Sequence, residues 1–259
     1  MIVPFSTSKS LFMIDIYRAS CANVKELKSQ AKSLRRMFNT ALINHRQSEI
    51  NTLTKTYALL YSAYAEVSFL KLIHTPHGFD DDYISQIQKR KVILYDKDGS
   101  EKISFVERKL EDKWLTCIDF AFAPIRNEHN RGEIANKQQT IHRLLSTYII
   151  EPSQIRNKIA HGQWRVCLNR DNTRVNEDTT KTLEKLDFVQ IDRLFHVYDL
   201  FTQCIEDLIE SPSKAHYRDF YSSLTNIEEY LDKTASYSIE TKLSELESKQ
   251  QRIKAKNQS

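Results

Sequence analysis

Leu27, Ala31, Leu34 and Phe38 recur at intervals of four, three and four, which keeps them on one stripe at about 100° per residue and predicts an amphipathic helix over 15–47. On the opposite side, Lys25, Lys28, Lys32, Arg35 and Arg36 fall within an arc of about 100°. That basic stripe suits a phosphate backbone, and it equally suits a solvated face that keeps the protein dispersed. Residues 49–74 are apolar on nearly every side, from Tyr57 through Leu59, Leu60, Tyr64, Val67, Phe69, Leu70 and Leu72, as in a central helix. Tyr57, Tyr61 and Tyr64 therefore read as core residues rather than base-stacking platforms. Glu66 interrupts the run. A carboxylate there either reaches solvent or meets a cation.

The pattern then shortens. Asp80, Asp81 and Asp82 after Pro76 read as the start of a helix, where carboxylates suit the dipole, rather than as a metal site. Val92 to Tyr95 and Ile103 to Phe105, joined through Asp98-Gly99, predict a β-hairpin, and Asp96 and Asp98 lack the partners of a calcium loop. Helix periodicity returns over 105–122, closed by Pro124. After a polar loop at 127–132 it covers 133–150, where Pro152 marks a break. Trp164 to Val175 reads as an extended or hairpin piece turning near Asp171-Asn172, followed by a polar loop to Thr182 and a helix over 187–210. Ile239, Leu243, Leu246, Gln250 and Ile253 form a short seam, with Glu245 placed to pair Lys249.

Composition agrees with a helical reading. The 259 residues include only 4 Gly and 5 Pro, far fewer than the turns of an all-β fold require. The expected architecture is all-α, an up-down helical bundle with extra N-terminal and C-terminal helices and small β-hairpin insertions. Three regions are expected: an N-terminal basic-striped helix over 1–48, a helical domain over 49–211 and C-terminal helices over 212–259. With 38 Lys and Arg against 34 Asp and Glu, the net charge of +4 permits a nucleic-acid partner without demanding one. No apolar run reaches the length of a membrane span, and Met1 to Phe12 lacks the pattern of a secretion signal. Cys21, Cys117, Cys167 and Cys204 are too scattered for a zinc ribbon or redox pair, so they read as reduced core residues of a cytoplasmic protein.

The chemistry concentrates in one passage. Glu151 to Trp164 contains Arg156, Asn157 and His161 in the order Arg-Asn-x-x-x-His, followed at once by Gly162. Histidine titrates near neutrality and can move protons, while the fixed guanidinium fork suits a phosphate. Asn157 lies about 40° from His161 on a helix, so its amide can orient the imidazole or bind phosphate. Arg156 and His161 diverge by about 140° on a straight helix, and a two-fold related copy resolves that divergence by supplying the second histidine. The plain alternative packs Ile155 and Ile159 inward, uses Gly162 as a helix cap and leaves His161 merely exposed.

This motif resembles that of the HEPN superfamily, all-α domains whose nuclease members carry Arg-x(4 to 6)-His. The resemblance rests on Arg156, Asn157 and His161 within the helical run from about 49 to 210. It implies a metal-independent endoribonuclease that needs no cofactor and builds its site between two protomers, in the setting of a toxin or phage-defence effector with an antitoxin or other regulatory protein as partner. The expected catalytic residues are Arg156, Asn157 and His161, with Glu66 as possible support. Trp164, Arg165 and the Lys25, Lys28, Lys32, Arg35 and Arg36 stripe are the expected RNA contacts, although Trp164 can also pack on the bundle. The rival expectations are a non-catalytic HEPN module that binds a partner protein or nucleotide, and a helical RNA-binding protein.

Overall fold

The computed structural model describes residues 7–95, 99–126 and 131–258. In chain order it contains α1 (Thr7–Ile43), α2 (Gln47–Ile73), α3 (Asp81–Gln88), β1 (Lys89–Tyr95), β2 (Glu101–Glu107), α4 (Leu110–Phe122), α5 (Arg131–Leu145), α6 (Glu151–Ala160), α7 (Glu177–Glu184), α8 (Phe188–Glu210), α9 (Pro212–Lys214), α10 (Phe220–Lys233) and α11 (Ile239–Gln258). Among the described residues the protein is all-α apart from the small antiparallel β1–β2 ribbon. Asp96, Asp98 and most of the polar loop at 127–132 lie outside the described residues.

The chain divides into two compact units, each assembled from separate stretches. One gathers the residues up to Cys21 with Phe69–Ile150 and Phe201–Leu224, and the other gathers Ala22–Ser68, Glu151–Leu200 and the residues from Thr225 onward.

In the first unit, Trp114 is fully buried against Phe69, at 4.5 Å between ring centroids, and Phe201, at 5.4 Å. Two cations are held in this interior by oxygen partners. Lys71 Nζ lies 2.6 Å from Glu206 Oε1, and the nearly inaccessible Lys137 Nζ meets Glu133 Oε1 at 2.8 Å and the His216 carbonyl at 2.9 Å. Asp80 caps α3 by accepting from the Tyr83 amide at 2.9 Å, so the acidic triplet begins a helix as its charges predict. Gly99 takes φ +83°, the positive φ expected of Asp-Gly, but Tyr95 pairs with Glu101, so five residues join the strands rather than the two of a primed turn. The strands extend to Glu107, so the expected helix over 105–122 starts later, at Leu110.

The expected break at Pro152 does not occur. A π-helical turn, Ser146–Ile150, leads directly into α6. Proline lacks an amide to donate back along the helix, and widening the preceding turn removes the demand for that bond.

The second unit is organised by aromatic stacking. Phe38 of α1 stacks on Phe188 of α8 at 3.9 Å, and Tyr57 of α2 lies on the other side of Phe188 at 4.1 Å. Tyr57, Tyr61 and Tyr64 are all buried, as core residues should be. Here the polar loop expected before Thr182 is instead largely helical. Asn176 caps α7 by accepting from the Thr179 amide at 3.0 Å, and Glu177 and Asp178 occupy its first turn. The expected turn near Asp171-Asn172 is present, with Asn172 at φ +55° and a bridge between Leu168 and Val175. On α11, Glu245 takes the Tyr237 hydroxyl rather than pairing with Lys249.

The cysteines are free thiols. Cys117 and Cys204 are buried in the first unit and Cys167 in the second, while Cys21 is half-buried.

Candidate functional site

α6 presents two different faces at its C-terminal end. Ile155, Arg156 and Ile159 are buried, whereas Asn157 and His161 are exposed. Arg156 Nη1 donates to the Ser62 hydroxyl at 2.5 Å, to the Ser62 carbonyl at 3.3 Å and to Glu66 Oε1 at 3.0 Å. Glu66 thus reaches both the alternatives open to it, because its carboxylate meets a cation and remains 66 % exposed. The Arg156 side chain is only 9 % exposed, and its Nε is buried without a hydrogen-bond partner. The guanidinium is accordingly anchored to α2 by one corner, with α2's exposed carboxylate beside it.

His161 occupies a defined cap. The Gly162 amide donates to the Ile159 carbonyl at 3.0 Å and the Gln163 amide to the Lys158 carbonyl at 2.9 Å, the paired bonds of a Schellman motif. Gly162 takes φ +79°, where a side chain would be strained. This turn ends α6 and leaves the imidazole exposed at the helix tip.

Just beyond the cap, Trp164 Nε1 donates to the Ile159 carbonyl at 3.0 Å. Its ring is 37 % exposed and carries Lys55 Nζ 5.8 Å from its centroid. Trp164 therefore packs on the helix end while keeping an accessible face, and Arg165 beside it is exposed. No local sequence pattern marks Lys55 as part of this surface. It lies more than a hundred positions away in sequence, and only the fold brings it to the tryptophan.

The basic stripe of α1 is divided by its partners. Lys28 Nζ lies 2.9 Å from Asp199 of α8, and Arg35 Nε lies 2.5 Å from Asp192 and 2.8 Å from the Tyr57 hydroxyl. Lys25, Lys32 and Arg36 are exposed. Tyr57 also donates to Asp192 at 2.6 Å, and burial first, then this carboxylate, pushes its phenol well above the ordinary range. Half-exposed partners bound this closely leave Lys28 and Arg35 less free to meet a phosphate than the other three cations. On α8, burial lowers the pKa of His196, and nearby Arg35 and Lys28 act in the same direction.

A separate cleft of about 360 Å³ lies in the first unit, lined by Phe79, Tyr83, Phe120, Pro124, Leu208 and Ile209 among others. Among the described residues, no group of three or more His, Cys, Asp or Glu side chains is arranged to hold a metal ion, and no helix is long and apolar enough to cross a membrane.

Comparison with protein-family models, curated proteins and solved structures finds no match for this chain.

Proposed function

We propose that this chain is a metal-independent endoribonuclease of the HEPN type, working as a homodimer whose cleft draws a histidine from each protomer. The observation that carries the proposal is His161 standing exposed at the tip of α6, beside exposed Asn157 and five residues beyond a guanidinium anchored on α2. In the proposed reaction a neutral His161 removes the 2′-OH proton and the 2′-oxygen attacks phosphorus. The protonated His161 of the partner subunit gives its proton to the leaving 5′-oxygen. The products are a 2′,3′-cyclic phosphate and a 5′-hydroxyl. Arg156 supplies positive charge to the phosphorane, with Glu66 and Ser62 fixing its position. Trp164 and Arg165 extend the surface on which RNA lies, and Lys25, Lys32 and Arg36 add to it.

The decisive experiment incubates the purified chain with a mixed RNA pool in EDTA. Cleavage into fragments ending in 2′,3′-cyclic phosphate is expected, together with resistance of a substrate carrying one deoxy sugar at the scissile position. Cleavage of DNA at a comparable rate, or no cleavage of RNA, rules the chemistry out.

The bonding of Arg156 favours a second reading. A guanidinium this buried, paired with Glu66 and tied to α2 backbone, also fits a non-catalytic module in which the motif holds two helices together. That reading expects RNA or a partner protein to bind without being cut.

A further inference from the structure

The β1–β2 ribbon is unusually bare. Its register pairs Lys89 with Glu107, Lys91 with Phe105, Ile93 with Ile103 and Tyr95 with Glu101, so these eight residues share one face. On that face Ile93 is 47 %, Ile103 55 %, Phe105 64 % and Tyr95 68 % exposed. The opposite face is better covered at its centre, where Val92 and Ser104 are half-buried. A two-stranded ribbon is marginal on its own in water, and a contiguous apolar face on it signals an interface.

The charges along the ribbon identify the occupant. Lys89 and Lys91 stand at its root, and Glu107 there is already engaged by Lys113 at 2.5 Å. Glu101 stands at the far end, where, among the described residues, it receives a long bond of 3.4 Å from Tyr95. The face thus runs from cation through apolar centre to anion. Such a face complements an inverted copy of itself. We infer that the ribbon is a homotypic docking surface, on which a second copy of this chain packs face to face about a two-fold axis crossing the strands at the Ile93–Ile103 pair. That axis lays the acidic end of one ribbon over the basic root of the other, so that Lys91 lies over Tyr95 of the partner subunit and reaches diagonally to the partner's Glu101, while the isoleucines and Phe105 are shielded from water. A polyanion fits this face less well, because Glu101 and Glu107 stand on it.

The contact is small. Seven residues at about 3.3 Å each give a face roughly 23 Å long and about 10 Å wide, below what a permanent dimer needs. The association is therefore reversible, in the micromolar range or weaker. Its test contains no RNA, and charge reversal on the ribbon distinguishes it from the pairing at α6 that the RNA reading requires.

Sedimentation equilibrium of the full chain across concentration should show a weak, reversible association step that depends on the ribbon charges, whether or not the chain also pairs through α6. Lys91→Glu and Glu101→Lys should each weaken it about tenfold, since every substitution acts twice across a two-fold axis. Mixing the two single variants should restore association to nearly the wild-type level, because each swapped charge then meets its opposite. Circular dichroism of both variants should match the wild type, these side chains being exposed. No concentration-dependent association step, association indifferent to both substitutions, or a mixture that associates no better than its components would each overturn the inference.

Discussion

Arg156 and His161 belong to one motif but meet opposite surroundings, and substitutions should separate them. Under the nuclease proposal, His161→Ala abolishes cleavage and leaves thermal unfolding almost unmoved, because the imidazole is exposed and makes no side-chain bond that the core depends on. Arg156→Ala should remove cleavage and also cost roughly 1–3 kcal/mol, because the bonds to Ser62 and Glu66 are lost from a largely buried position. A melting temperature lowered by several degrees for Arg156→Ala alone is the expected signature, read by calorimetry alongside the cleavage rate. The motif itself is legible in the sequence, whereas this asymmetry is not. Ser62 and Glu66 lie 94 and 90 positions before Arg156, and no local pattern announces which cation Glu66 meets. The same blindness affected the α1 stripe. Lys28 and Arg35 look solvent-facing on a helical projection, yet Asp199 and Asp192 of α8 claim them.

Helix ends carry the next set of consequences. Gly162 has open space around the position of an added side chain, so Gly162→Ala tests conformation alone; a loss of about 1 kcal/mol is expected at φ +79°, with Gly162→Asn costing less. Asp187 precedes α8 and accepts from the Val189 amide at 2.6 Å, while burial raises its pKa. Because its folded pKa lies above the unfolded value, this carboxyl contributes its full stability below the unfolded pKa and loses it as pH rises through the folded one. Asp187→Asn keeps a cap oxygen and cannot ionise. Chemical denaturation from about pH 3 to about pH 6 should therefore show the Asn variant gaining on the wild type as pH rises, whereas an unchanged difference would deny the shift. A long run apolar on nearly every side made α2 readable, helix periodicity made α8 readable, and Asp-Gly made the ribbon readable. α7 escaped because Leu183 is its only buried residue, although Asn176 followed by Glu177 and Asp178 was a usable start signal. Pro152 misled because a π-helical turn upstream absorbs the missing amide, and no residue type marks such a turn in advance.

Across the whole molecule, the shared-cleft proposal makes a claim that single substitutions cannot test. A tandem fusion carrying His161→Ala in only one copy lacks one of the two histidines in every cleft formed within it. An acid or base role contributes roughly 10²- to 10⁴-fold, so its initial rate should fall far below half that of the unmodified fusion. Measured under dilution that prevents pairing between fusions, a rate near half would instead indicate independent sites. The division of the chain into two units was hidden from the sequence, because each unit draws on three separate stretches with parts of the other unit between them. The buried thiols offer a way to watch those units. Burial raises the pKa of Cys117, Cys167 and Cys204, the last to about 12, so none reacts with an alkylating reagent until its surroundings open. Cys117 and Cys204 report on the first unit and Cys167 on the second. Pulsed alkylation read by mass spectrometry therefore measures cooperativity: three equal labelling rates mean that the units open together, and a faster Cys167 means that the stretch bearing the motif breathes while the other unit stays closed.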